Sequence, residues 1–247
     1  MNYYTIITAR SSSTRLRNKI MLDITKKFKA IDILVKRSKL IGLPVVLATS
    51  NAKSDDKLVK YVKKKYKIKI FRGSLNNKVK RWYDCFLKYK INSACFIDGD
   101  DLLFDYDLYK KNFDLIKNKA KPYMMKNPSN IVTGGFTYII NAKFLKKIFI
   151  KTKNIKNVDV IDGYYKNLRY IEEIKLEKIL ISNQKIRLTL DYQDDYIFFK
   201  KIFTKIKFDY KTKDIVKFLL KDDKLIKINF YLNKLWKKNQ LNEIKRQ

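Results

Sequence analysis

Two kinds of residue in this chain stand in spacings that could do chemistry together. One is acidic: Asp98-Gly-Asp-Asp101, with a second group in Asp191-Tyr-Gln-Asp-Asp195. An Asp-x-Asp at a strand end suits a hard divalent cation, which takes one or two carboxylates and completes its shell with water and phosphate oxygens. The other kind is basic. The stretch Thr5-Ile-Ile-Thr-Ala-Arg-Ser-Ser-Ser-Thr-Arg-Leu-Arg-Asn-Lys19 sets Arg10, Arg15, Arg17 and Lys19 among small hydroxyl residues, and Arg72 follows a later apolar segment. Cations and backbone N–H groups in a tight loop suit a polyphosphate. Together the two groups can bind a nucleoside triphosphate with its metal and stabilise charge during attack on the α-phosphorus. That chemistry depends on positioning and charge neutralisation rather than on an imidazole base, and the chain has no histidine. Each group alone has a plainer reading. The acidic one could be a turn or a helix cap. The basic one could be a solvated turn, since the usual phosphate loops are richer in glycine.

The elements that must hold these residues follow from periodicity. Residues 3–9 form a β-branched apolar run that reads as a buried strand. After the loop of 10–19, Ile31, Leu34, Val35, Ser38 and Ile41 keep helical spacing over 29–41 and stop at Gly42. Pro44–Thr49 is a second strand, and Ser54 is a candidate N-cap for a helix over 55–66. Residues 68–71 form a third strand, 77–90 a helix, and Ala94–Asp98 a fourth strand. This alternation predicts an α/β protein with a mostly parallel sheet and helices on both faces. In such sheets ligands sit at the carboxyl ends of the strands. The segments Arg10–Lys19, Thr49–Asp56, Arg72–Ser74 and Asp98–Asp101 all fall there. Further on, the pattern predicts a helix at 105–118, a strand at 133–140, a helix at 142–149 and a helical stretch at 159–167. Two short strands are expected within 170–182, a strong strand at 185–191, and helices at 193–206 and 212–221. The last twenty residues wrap the edge.

Composition bounds the rest. A chain of 247 residues that is 46% hydrophobic can bury a large single core. The net charge is +33, yet only 9 of the 57 cations are Arg, and the lysines are spread along the whole chain. Lys, Asn, Ile, Tyr and Phe share AT-rich codons, so genome composition accounts for much of this excess. The charge therefore does not single out nucleic acid as a partner, although a non-catalytic nucleic-acid-binding protein stays open as a reading. Cys85 and Cys95 lie in apolar surroundings without metal or redox spacing, as buried thiols in a reducing compartment do. No apolar run approaches the ~18 residues of a membrane span, and the N-terminus lacks a signal-peptide pattern. A cytoplasmic location is expected.

The motifs occur in an order that resembles the cytidylyltransferase family. That family makes CMP-activated sugar acids (the CMP-acylneuraminate and CMP-Kdo synthetases) and includes the spore-coat polysaccharide type. The opening Ile7-Thr-Ala-Arg-Ser-Ser-Ser-Thr-Arg-Leu-Arg-Asn-Lys19 is similar to its first motif. Leu47-Ala-Thr-Ser-Asn with Asp55-Asp56 is similar to its second, and Phe71-Arg-Gly-Ser with Val79-x-Arg-Trp-Tyr83 to its third. Ile97-Asp-Gly-Asp-Asp-Leu-Leu-Phe-Asp105 resembles its metal-binding segment, and Arg187-Leu-Thr-Leu-Asp-Tyr-Gln-Asp-Asp195 its late acidic motif. The resemblance implies a GT-A-like three-layer sandwich, one nucleotidyltransferase domain over 1–247, with about 130–185 shaping the acceptor pocket and a homodimer contact. It implies that Ala9, Arg10, Ser13, Arg15, Lys19 and Asp98 bind CTP and its phosphates. Ala48, Thr49, Ser50 and Arg72 would line the base side. Arg10, Arg15 and Lys19 would act on the reacting phosphates, and Asp100 and Asp191 would hold Mg²⁺. The implied reaction transfers CMP to an acidic sugar or phosphonate-like acceptor and releases pyrophosphate. A nucleotidyl- or glycosyltransferase of the same fold with another nucleotide is the alternative.

Four features depart from the family pattern. Arg17 stands where the family has proline. Asn76-Asn77 replaces an acidic pair, and Asp101-Leu102 replaces Cys-Pro. Thr133-Gly-Gly-Phe and Val158-Asp-Val-Ile-Asp162 replace the spore-coat type's acceptor segment, which leaves Asp159 and Asp162 as surface or site residues.

Overall fold

A run such as Tyr-Tyr-Thr-Ile-Ile-Thr has no polar face, so it is stable only where helices cover both sides of a sheet. In the computed structural model it forms β1 (Tyr3–Thr8), whose last five residues are all buried. The structure describes residues 2–128, 131–165, 167–174, 178–181 and 185–245. β1 lies between β2 (Val45–Ser50) and β4 (Ser93–Asp98), parallel to both, and β3 (Lys69–Gly73) extends the parallel set at one edge. On the other side β6 (Tyr138–Asn141) runs antiparallel to β4, followed by β5 (Met124–Lys126) and β7 (Ile171–Glu173). The order across the seven strands is β3-β2-β1-β4-β6-β5-β7. The expected α/β architecture with a mostly parallel sheet is therefore present.

Alternate residues along each strand point to opposite layers. Ile7, Leu47 and Ile97 enter one apolar cluster, which packs under α1 (Ala30–Leu40), α2 (Asp56–Lys65), α4 (Tyr106–Ile116), α8 (Gln193–Ile202) and α9 (Thr212–Leu219). Ile6, Val46 and Phe96 enter the other, under α3 (Lys78–Tyr89) and α5 (Ala142–Thr152). Each such side chain contributes about 2 kcal/mol relative to exposure. Side-chain caps start α3, α4 and α5. Asn77 accepts from Lys80 N at 2.8 Å, Asp105 from Leu108 N at 2.9 Å and Asn141 from Phe144 N at 2.9 Å.

The second half departs from periodicity in several places. Thr133–Phe136 is a turn rather than part of a strand, because Gly134 takes φ +85° and only Tyr138–Asn141 joins the sheet. Residues 185–191 are extended but make a single bridge, Arg187 to Thr133, so no strand forms there. Residues 170–182 hold one strand, β7, and a helical turn, α7 (Lys178–Ile181), where two strands were expected; 175–177 and 182–184 lie outside the described residues. The helix at 159–167 shortens to α6 (Asp162–Tyr165). Ser54 does not cap α2; it sits in a 3₁₀ turn, Lys53–Asp55. In α8 the buried stripe is Phe198, Phe199 and Ile202, and Ile197 is exposed. At the C-terminus α10 (Asp223–Ile226) leads into α11 (Leu232–Lys245).

Candidate active site

β1 and β4 end side by side, with Thr8 in register with Asp98, so the basic loop and the acidic loop leave the sheet together. Gly99 permits this approach: a Cβ there would stand 2.9 Å from the Thr8 carbonyl oxygen and from the Ala9 Cβ. The basic loop is tied down at its start. Asp55, fully buried, accepts from Ser11 N at 2.6 Å, Thr49 Oγ1 at 2.8 Å and Ser50 N at 3.0 Å. Burial alone would raise the Asp55 pKa, but the Ser50, Ser11 and Thr49 hydrogen bonds outweigh it and hold it below the ordinary aspartate value.

The loop then delivers its cations to carboxylates. Lys19 Nζ donates to Asp100 Oδ2 at 2.8 Å and to Asp191 Oδ1 at 2.9 Å. One ammonium touching both puts Asp100 and Asp191 less than two hydrogen-bond lengths apart. Arg15 donates to the same Asp191 oxygen at 2.8 Å, and its guanidinium lies 5.5 Å from the centre of the Tyr192 ring. Asp191 is delivered by the 185–191 segment, which is pinned by Leu188 N to Thr133 O at 2.8 Å and by Leu190 N to Asp100 O at 2.8 Å. Beneath it, fully buried Arg187 pairs with Asp191 at 3.0 Å and with Asp195 at 2.8 Å. Asp195 in turn accepts from Asp191 N and Tyr192 N, which fixes the start of α8.

Asp98, Asp100 and Asp101 each offer an oxygen within 4.8 Å of the others, the one such three-carboxylate group among the described residues. Burial pushes the Asp98 and Asp101 carboxyls up; for Asp98 the Lys78 ammonium at 2.7 Å opposes this, and for Asp101 the neighbouring Asp100 and Asp98 charges reinforce it. Asp100 is held at about 2, because burial is outweighed by Lys19. Three hard oxygen donors that crowd one another's charge fit a divalent cation with open positions for phosphate oxygens. Asp191 fits one less readily, since Lys19 and Arg15 engage one of its oxygens and Arg187 the other.

A cavity of about 520 Å³ opens onto this charge pattern, and Ala9, Arg10, Ser13, Arg15, Lys19, Asp98 and Asp100 all line it. Ala48, Thr49 and Ser50 do not reach its wall. They are fully buried, and the Thr49 and Ser50 hydroxyls are spent on Asp55. Arg72 also lies off the wall. It donates to Ser50 O at 3.0 Å and Ala52 O at 2.8 Å and pairs with Asp56 at 2.6 Å. Of the charged lining residues, Lys78 and Arg81 carried no assignment from sequence, and Asp159 was open as surface or site. Arg81 stood inside a quoted motif, and its burial was the missing information. It donates to Ser74 O at 2.6 Å, and burial, with Arg10 nearby, lowers its pKa to about 10. Arg10 donates to Leu75 O at 2.9 Å and pairs with Asp159 across the cavity. A second cavity of about 390 Å³ shares Arg15, Lys78, Asp98, Asp100 and Asp159 with the first and continues past Asp101, Asp162 and Tyr165.

A family model described as "Cytidylyltransferase" matches residues 4–215. An uncharacterized protein of Methanocaldococcus jannaschii is 27% identical over 232 residues, covering 91% of this chain and 93% of its own length. A cytidylyltransferase structure from Leptospira borgpetersenii superposes with a TM-score of 0.75 at 23% identity, covering 92% of this chain and 97% of that one. The structure of CMP:2-keto-3-deoxy-manno-octonic acid synthetase in complex with CTP superposes at 0.58 with 12% identity, covering 83% and 99%.

Proposed function

The chain belongs to the cytidylyltransferase family and is a nucleotidyltransferase, and from that premise we propose that it transfers CMP from CTP to an acidic sugar or related oxyanion acceptor in the making of a surface glycan. The observation that carries this reading is the opposition, on the first cavity, of a cationic loop (Arg10, Arg15, Lys19) and Asp98 and Asp100, two members of the three-carboxylate cluster.

On this reading the triphosphate lies along Ser12–Arg15, where backbone N–H groups and Ser13 donate to its oxygens and Arg10, Arg15 and Lys19 offset their charge. Asp98, Asp100 and Asp101 would hold a divalent cation, and Asp191 keeps Lys19 and Arg15 in place beside it. Mg²⁺ bound there would neutralise phosphate charge. The acceptor enters through the second cavity, whose shared wall brings it to the α-phosphorus. Its oxygen forms a bond to that phosphorus, a hydroxyl proton passing to water, as the bond to the bridging oxygen breaks, and pyrophosphate leaves with the displaced electron pair. Lys19 and Arg15 stabilise the charge that develops on it.

The test is pyrophosphate release from CTP, UTP, ATP and GTP with a panel of nonulosonic acids, 3-deoxy-octulosonate and phosphonates, with and without Mg²⁺. CTP-selective, metal-dependent release is expected. Selective turnover of another nucleotide would favour the alternative of a different transferase on this fold. For the metal, Asp100→Asn should abolish saturable Mn²⁺ binding in a paramagnetic resonance titration. Unchanged Mn²⁺ binding in that variant would remove Asp100 from the metal site.

A further inference from the structure

α11 has a polarity unlike that of a helix that only covers a core. Such helices bury their leucines and expose their polar residues. Here Leu235 is 44% and Leu241 59% exposed. The stripe facing inward is Asn233, Trp236, Gln240 and Ile244, which recurs at helical spacing and lines the second cavity, with exposed Lys237 at its rim. Gln240 also lines the first cavity, so it stands where the two meet.

The helix is held in this position from both ends of its stripe. Leu232 is buried, and Asn233 accepts from Arg187, the residue beneath Asp191. Asn239 donates to the Tyr192 hydroxyl at 3.0 Å, and the Tyr192 ring lies beside the Arg15 guanidinium. α11 begins beyond residue 215, where the match to the family ends. The wall of the second cavity that it supplies combines an aromatic ring with amides, and Lys126 and Lys237 stand at the same cavity. An aromatic platform, neutral hydrogen-bonding groups and nearby cations suit a polyhydroxylated ring that carries an acid group.

We propose that α11 is the acceptor-selecting wall of the active site. Trp236 covers the apolar face of an acidic sugar ring, and Gln240 hydrogen-bonds a hydroxyl beside the attacking oxygen. This rests on the reading above that the second cavity receives the acceptor.

The chain has two tryptophans; Trp82 is buried and donates to Thr8 Oγ1 at 2.7 Å beside the first cavity, so the part of an emission change that Trp236→Phe removes reports on the second cavity. Full-length protein is titrated with N-acetylneuraminate and with 3-deoxy-D-manno-octulosonate, in parallel with pyrophosphate-release kinetics using the same two acceptors. At least one acid should give a saturable emission change. Trp236→Phe should lose that signal, and its smaller ring should raise the acceptor KM, though less than removal of the ring does. Trp236→Ala should raise the acceptor KM about tenfold while the CTP KM stays within about twofold, a split that loss of fold would not produce. Gln240→Ala should raise the acceptor KM more than the CTP KM.

No saturable change with either acid overturns the proposal, and so does an acceptor KM in Trp236→Ala equal to that of the wild type. Calorimetry with CTP alone separates the two readings. If CTP does not bind, the proposed function falls. If CTP binds and pyrophosphate is released but the α11 variants behave as wild type, only the role of α11 falls.

Discussion

Lys19 touches Asp100 and Asp191 with one ammonium, and that shared contact governs what its loss would do. Burial would lower its pKa, but the Asp100 and Asp191 charges outweigh burial and raise it, so it remains a cation throughout the neutral range. Lys19→Met leaves Asp191 paired with Arg15 and Arg187, so the stability loss should be modest, about 1–3 kcal/mol by urea unfolding. Pyrophosphate release should fall at least about a hundredfold. Turnover near wild type would remove Lys19 from the phosphate machinery. Asp55 acts at a distance, since it anchors Ser11 at the start of the basic loop. Its carboxyl is depressed in the folded state, so its stabilisation is present above the ordinary aspartate pKa and is lost as pH falls through the folded value. The stability gap between wild type and Asp55→Asn should therefore be flat from neutral pH downward and narrow below about pH 4. A gap that widened on acidification would contradict the assignment.

Among the elements, the turn at Gly134 and the extended 185–191 segment form one clamp. Gly134 has φ +85°, and a Cβ on it would meet the Leu188 carbonyl oxygen at 2.6 Å. The neighbouring Thr133 carbonyl accepts from Leu188 N, and the chain two residues beyond Leu188 reaches Asp100 through Leu190 N. Gly134→Ala must both strain the backbone and push this segment away, at a cost of about 1–3 kcal/mol. Because Asp191 sits at the end of the same segment, kcat should drop along with the thermal midpoint. A variant that lost stability but kept full kcat would uncouple the clamp from the site. α11 acts on the same region from the other side, through Asn233 on Arg187 and Asn239 on Tyr192.

For the whole molecule, the net charge of +33 is the dominant long-range term. Self-repulsion among lysines spread along the whole chain should ease as salt screens it, so the thermal midpoint should rise between low salt and about 0.3 M, where the Debye length falls below ~8 Å. A midpoint that fell over that range would indicate that the ion pairs outweigh the repulsion. The same charge predicts only weak, steeply salt-dependent binding to duplex DNA; tight binding at physiological salt would revive the nucleic-acid reading. No helix among the described residues is long and apolar enough to cross a membrane.

The parallel core and the charged loops of the candidate site follow from local patterns in the chain. Apolar runs such as Ala94–Asp98 can exist only between two helical layers, and loops at their carboxyl ends must converge. Hence Arg10, Ser13, Arg15, Lys19, Asp98 and Asp100 were legible as cavity residues. What tertiary structure decided is which groups are already engaged and which distant segments close the cavity. Thr49, Ser50 and Arg72 have the right chemistry at a strand end, but Asp55, Asp56 and backbone carbonyls consume it. The segment 185–191 alternates like a strand, yet Leu188 and Leu190 bond a turn and a loop instead of a sheet partner. Asp159 faces Arg10 from 149 residues away, and α11 meets the site with a mixed stripe of Asn233, Trp236, Gln240 and Ile244. Local periodicity reports which face of an element is apolar; it carries no information about pairings made between elements far apart in the chain.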